Sequence, residues 1–129
     1  MVFVAVVFLS LAGAWGFFHF VLGDGPMRRC RGHDRFDSGA WQDSTLAFGP
    51  LAVRGCMVDN LLSKNRLPGQ SRATVVALLG EPYPTNYFRD YDLVYWLGPE
   101  RGLISIDSEW LVMRLDASNR VKEVRLVTD

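Results

Sequence analysis

Residues 1–22 read MVFVAVVFLSLAGAWGFFHFVL, with no Asp, Glu, Lys or Arg among them. The only ionisable side chain in the run is His19. As a helix it would reach roughly 33 Å, enough to cross the hydrocarbon core of a bilayer. A buried core helix rarely stays this apolar for so long at one end of a chain. The expectation is a transmembrane or signal-anchor helix over 1–22, which leaves the folded domain to be built from the remainder of the chain. Ala12-Gly13-Ala14 has the form of a signal cleavage site, but no basic residue precedes it. Apolar sequence also continues past it to Leu22, which favours a retained helix. Residues 11–14 resemble a bacterial lipoprotein box with Ala14 where the lipidated cysteine belongs, and without a thiol there is no lipidation. Arg28, Arg29, Arg31 and Arg35 come after the run, which by the positive-inside rule would hold the domain in the cytoplasm. A start codon placed too far downstream would leave the same pattern, so sidedness stays open at this point.

Charge bears on partners. The chain carries 14 Lys+Arg and 14 Asp+Glu, and the balance is also local, with four of each sign in residues 1–50 and ten of each in 51–129. A nucleic-acid-binding domain shows a basic surplus on its folded part, so no nucleic-acid partner is expected. The 49% apolar and 22% charged content supports a packed core rather than disorder. Cys30 and Cys56 are the only cysteines, enough for one disulfide and too few for a structural zinc site. In an oxidising compartment they are candidates to pair. Otherwise Cys56 is a free thiol buried on a helix face.

Residues 23–50 are rich in Gly, Asp, Ser and Arg without apolar period, and read as a tether pinned by Phe36 and Trp41. Over 51–65 the apolar Val53, Met57 and Leu61 recur every four residues, with Val58 and Leu62 beside them. This predicts an amphipathic helix that turns Arg54, Asp59, Asn60 and Lys64 to water. Gly55 inside it costs about 1 kcal/mol against alanine. After a break at Pro68-Gly69, Ser71 is an N-cap for a second helix over 72–79, Gly80 ends it, and Pro82 and Pro84 forbid its continuation. The β-branched and aromatic runs 91–97, 103–115 and 121–127 predict three strands joined by turns at 98–102 and 116–120, with Asn119 in a left-handed conformation. Such short connections mean an antiparallel meander. The expected domain, 51–129, is α+β in the order ααβββ, with two helices on one face of a three-stranded antiparallel sheet. A five-residue turn would pair Trp96 with Ile104 and Val94 with Ile106, and the change of apolar phase after them predicts a bulge at residues 107–109. Trp110 should be buried, and Arg101 should lie near Glu100, Asp107 or Glu109.

For chemistry, Asp107 and Glu109 stand at i, i+2 and could serve as a hydrolase's acid and base, but Arg101 is close enough to neutralise one of them. The domain has no histidine, which removes Ser-His-Asp and His-rich metal constellations from it. No phosphate loop or calcium loop is present, so neither a cofactor nor a metal is expected. The density of Tyr83, Tyr87, Phe88, Tyr91, Tyr95, Trp96 and Trp110 supports a core with an exposed remainder available to a partner. The candidate surface is Tyr87, Tyr91, Glu100, Arg101, Asp107 and Glu109.

The element order and the run LPGQSRATVVALLGEP resemble the SmpA/OmlA (BamE-like) family of small envelope lipoproteins. Its pattern corresponds here to Leu67, Gly69, Ser71, Val75, Leu78, Leu79, Gly80 and Pro82. Residues 116–121 resemble its later D-x-x-G-x-V turn, with Asn119 in the glycine's place. More narrowly, DLVYWLGPERGLISIDSEWLV resembles a group of bacterial proteins without an assigned activity. The family resemblance implies a non-enzymatic scaffold or binding role in the bacterial envelope, from which this chain departs in its longer apolar segment and missing lipidation cysteine. Together with the apolar run 1–22, the expectation is a single-pass membrane module, domain toward the periplasm, that binds a protein partner in a scaffold or assembly role. A small hydrolase using Asp107 and Glu109, and a protein inhibitor, are the alternative readings.

Overall fold

The computed structural model describes residues 30–64, 67–101 and 106–129. The expected membrane helix over 1–22 lies outside the described residues, among which no helix is long and apolar enough to cross a membrane. The elements run α1 (Ser38–Gln42), α2 (Ser44–Phe48), α3 (Val53–Lys64), α4 (Arg72–Leu79), β1 (Leu93–Pro99), β2 (Ser108–Leu115) and β3 (Val121–Thr128). The strands form one antiparallel sheet in the order β1-β2-β3, an α+β meander.

Part of the stretch read as a tether is folded. Asp37 caps α1 by accepting from the Ala40 N–H at 2.7 Å, and Asp43 caps α2 by accepting from the Thr45 and Leu46 N–H groups at 2.9 and 3.1 Å. These carboxylates satisfy orphan donors of the first turn. Trp41 on α1 is fully buried. The Ser38 hydroxyl and the Gln42 amide donate to the Leu78 carbonyl at 2.6 and 3.2 Å, so α1 satisfies an open acceptor at the end of α4. The Cys30–Cys56 disulfide, across 26 residues of sequence, bonds the start of the described chain to α3.

Helix α3 buries Val53, Met57, Val58 and Leu61 as its four-residue repeat predicts, while Leu62 is exposed. Arg54, expected in water, is instead 5% exposed. It is covered by Trp41 and Phe48, which come from the segment folded over it. Gly55 allows close approach to the sheet, since a Cβ there would lie 3.3 Å from the Leu97 carbonyl oxygen. Helix α4 starts at its expected cap, with the Ser71 hydroxyl accepting from the Thr74 N–H at 3.2 Å. It ends at Gly80, whose φ of +80° is open to glycine.

Two apolar layers sandwich the sheet. On one face Leu93, Tyr95 and Leu97 of β1 and Leu111 and Met113 of β2 meet the buried residues of α1, α3 and α4. On the other, Val94, Trp110 and Val112 pack with Phe88, Tyr91, Trp96 and Val127, and the cover is the irregular segment 81–92 rather than a helix. That segment also runs along the outer edge of β1, where the Tyr83 N–H donates to the Val94 carbonyl at 2.8 Å.

The hairpin register differs from expectation. Trp96 pairs with Trp110 and Val94 with Val112, not with Ile104 and Ile106. Ile106 is 83% exposed and precedes β2. The β1–β2 connection is longer than a five-residue turn, and its mouth is held by the Glu100 N–H donating to the Asp107 carbonyl at 2.8 Å. Both registers place the same side chains on the same faces, because they differ by an even number of residues, so alternation could not separate them. The irregularity lies in β1 between Trp96 and Gly98, not at residues 107–109, and a second falls between Arg114 and Leu115. The 116–120 turn forms as predicted, with Asn119 at φ +61° and the Asp116 carboxylate accepting from the Ser118 and Arg120 N–H groups.

Candidate functional site

The acidic candidates resolve into a clamp. Arg101 donates from Nε and Nη2 to the two carboxylate oxygens of Glu109 at 2.9 and 2.7 Å, a bidentate pair. Its Nη1 donates to Asp59 Oδ2 on α3 at 2.8 Å and to the Gly55 carbonyl at 3.3 Å. The Glu109 hydrogen bonds hold the guanidinium above its ordinary range, against a smaller opposing effect of burial. The arrangement ties the hairpin to α3. Glu109, placed on the candidate surface from sequence, is only 9% exposed, because both of its oxygens are drawn in to Arg101. Asp107 lies ahead of β2 and is exposed, so it does not share a strand face with Glu109 as an acid pair would. Glu100 is half-buried and lines, with Asp59, Arg101, Glu109 and Thr128, a surface hollow of about 430 Å³.

The aromatic candidates form a continuous surface. Trp110 is buried at its centre and contacts the rings of Tyr83, Tyr87 and Phe88 at 5.6, 6.0 and 5.8 Å between centroids. Phe48 extends the row, 5.6 Å from Tyr83 and 5.9 Å from Trp96. Tyr87 is 59%, Phe48 44% and Tyr83 38% exposed. Tyr91 is half-buried under the Arg114 guanidinium, 4.6 Å from its ring, so Tyr87 is the more accessible of the two expected tyrosines.

Arg54 had no signal as a site residue in the sequence. Its Nε donates to the Trp41 carbonyl at 2.8 Å, and Nη1 reaches the Trp96 carbonyl at 3.5 Å. The guanidinium carbon lies 5.3 Å from the Trp41 ring centre and 4.8 Å from that of Phe48. Desolvation lowers its pKa to about 10. Burial likewise pushes the neighbouring Tyr95 up to about 12, and its hydroxyl donates to the Gly80 carbonyl at 2.9 Å. Phe48 gives no signal in the sequence because it lies in the stretch read as a tether, and Arg54 gives none because its cover comes from that same stretch.

Fold and surface together define a disulfide-braced α+β module with an aromatic row that runs from α2 to Trp110 on the loop-covered face of the sheet. Among the described residues no cluster of three or more His, Cys, Asp or Glu is placed to hold a metal ion. No protein-family model, no curated protein and no solved structure matches this chain.

Proposed function

We propose that this chain is a membrane-tethered, non-catalytic module of the bacterial envelope, related to the SmpA/OmlA (BamE-like) family, that binds a protein partner in a scaffold or assembly role. The observation that carries the reading is the row Phe48–Tyr83–Trp110–Tyr87, exposed at three of its four rings. Large rings with few rotatable bonds suit protein recognition, since little conformational entropy is lost on docking. The hydrolase alternative draws no support from Glu109, whose oxygens are both engaged by Arg101. The bridge between Cys30 and Cys56 supports an oxidising compartment, in keeping with a periplasmic domain. The apolar run 1–22 supports the tether.

The test is photo-crosslinking in living cells from Tyr87, with Lys64 at the end of α3 as an exposed control position. The reading expects one discrete protein adduct from position 87 and none from 64. Equal labelling at both positions, or adducts to lipid alone, would refute it. Growth of a deletion strain complemented by Asp107→Asn addresses the enzyme alternative. The module reading expects full complementation, whereas loss of function in a normally abundant variant favours catalysis.

A further inference from the structure

We propose that the hollow beside Arg54 binds a carboxylate carried on an apolar body, and that its ligand is the C-terminal residue of the partner polypeptide, an inference that rests on the partner-binding reading above. The hollow has a volume of about 390 Å³. Ligand pockets begin at roughly 300 Å³, so a single residue, not an extended ligand, is the matching size. Leu79, Pro82, Tyr83 and Phe48 give it apolar walls, and Arg54 supplies the buried cation.

Among the described residues no carboxylate bonds to Arg54, whose polar contacts are the Trp41 and Trp96 carbonyls. A guanidinium has five N–H donors in a fixed fork, so donors remain for a ligand. A buried ion is costly unless paired, and the depressed pKa of this group reflects that cost. The flanking rings offset part of it by cation–π attraction but cannot neutralise the charge. Arg54 also sits in the first turn of α3, where the helix end is itself partly positive and no acidic residue opposes it.

The same surroundings select the ligand. Gln42 also lines the hollow, but its amide is committed to Ser38, Ala77 and Leu78. Glu81 stands at the exposed rim and adds negative charge. A single guanidinium on the wall matches the single charge of a carboxylate, and Glu81 at the rim disfavours a dianionic phosphate. Phe48 and Tyr83 belong both to the hollow and to the exposed aromatic row, so a chain lying on that row has its end beside Arg54.

The experiment titrates the full chain, solubilised in a non-ionic detergent, with a short peptide ending in phenylalanine. The free acid is compared with its C-terminal amide, and with N-acetyl-phenylalanine as a ligand lacking a polypeptide. Indole N–H resonances of Trp41 and Trp96 report binding. The acid should bind saturably and at least about tenfold more tightly than the amide, the difference expected of a charge-assisted hydrogen bond. Glu81→Gln should tighten the acid, and Arg54→Gln should abolish the distinction between acid and amide. If Arg54→Gln does not fold, the comparison in the unaltered protein decides alone. Equal binding of acid and amide, or binding of neither, would overturn the site. N-acetyl-phenylalanine binding as tightly as the peptide would overturn the polypeptide assignment. Acid-selective binding without a Tyr87 adduct in cells would remove the partner reading and leave the carboxylate site. An adduct without acid selectivity would do the reverse.

Discussion

The two faces of the sheet are built by different means. The helix-covered face is closed by regular elements whose apolar repeats interlock, and Leu93, Tyr95, Leu111 and Met113 on it are fully buried. The opposite face is closed by the irregular segment 81–92 and centred on Trp110, with Tyr83 and Tyr87 left partly in solvent. Stability therefore draws on both faces, but the exposed tyrosines belong to the loop-covered one. Here the rings that remain exposed stand on a buried ring that fixes their positions.

The largest loss is expected from Trp110→Ala. Deleting a buried aromatic costs roughly 3–5 kcal/mol, so the loop-covered face should prove as necessary to folding as the helical one. Thermal or urea unfolding measures it, and a loss under about 1 kcal/mol would mean that the segment 81–92 is a cover only. Removing the disulfide by Cys30→Ser with Cys56→Ser should cost about 3 kcal/mol by the chain-entropy argument. That loss falls on the helical side, and the Tyr87 surface should survive in the fraction that folds. Glu109→Gln should cost about 1–3 kcal/mol, because it weakens a mostly buried bidentate pair rather than a solvated one. An unchanged melting temperature would return Glu109 to the surface.

Smaller effects distinguish the faces further. Tyr95 titrates near 12 in the fold, because burial disfavours its phenolate, and near 10 when unfolded. Between those values the folded chain holds a proton that the unfolded chain has lost, so this contribution is complete below pH 10 and disappears as pH rises toward 12. The stability difference between the unaltered chain and Tyr95→Phe should decline across that window and stay flat below it. Tyr87→Ala, on the open face, should change stability by less than about 0.5 kcal/mol while removing partner capture.

What could be read in the sequence was local. Ser71, Gly80 and Asn119 each carry a conformational demand within a few residues, and each sits where that demand placed it. The four-residue repeat of α3 needs only its own spacing. The helices α1 and α2 are five residues long, too short to show a period, although Asp37 and Asp43 were available as caps. The register of β1 on β2 depended on the length of the connection, and side-chain alternation is silent about shifts by an even number. Arg54 reads as a solvated helix residue until Trp41 and Phe48 are laid over it, and nothing near it in sequence announces them. The candidate surface was legible at Tyr87. Its continuation through Phe48 arises from the segment read as a tether, whereas the Arg101–Glu109 pairing, eight residues apart, was expected and only its burial was not.

The Cys30–Cys56 bridge also sets how the module bears mechanical load. A pull arriving through the chain ahead of Cys30 divides at the sulfur bond, and most of it passes directly to Cys56 near the start of α3. Helices α1 and α2 lie inside the closed loop and are shielded from tension. The load reaches the sheet through the α3–β1 contact, the broadest helix–strand interface of the domain. Tension applied ahead of Cys30 therefore reaches the core directly, while Trp41 and Phe48, which cover Arg54, sit inside the closed loop and carry little of it.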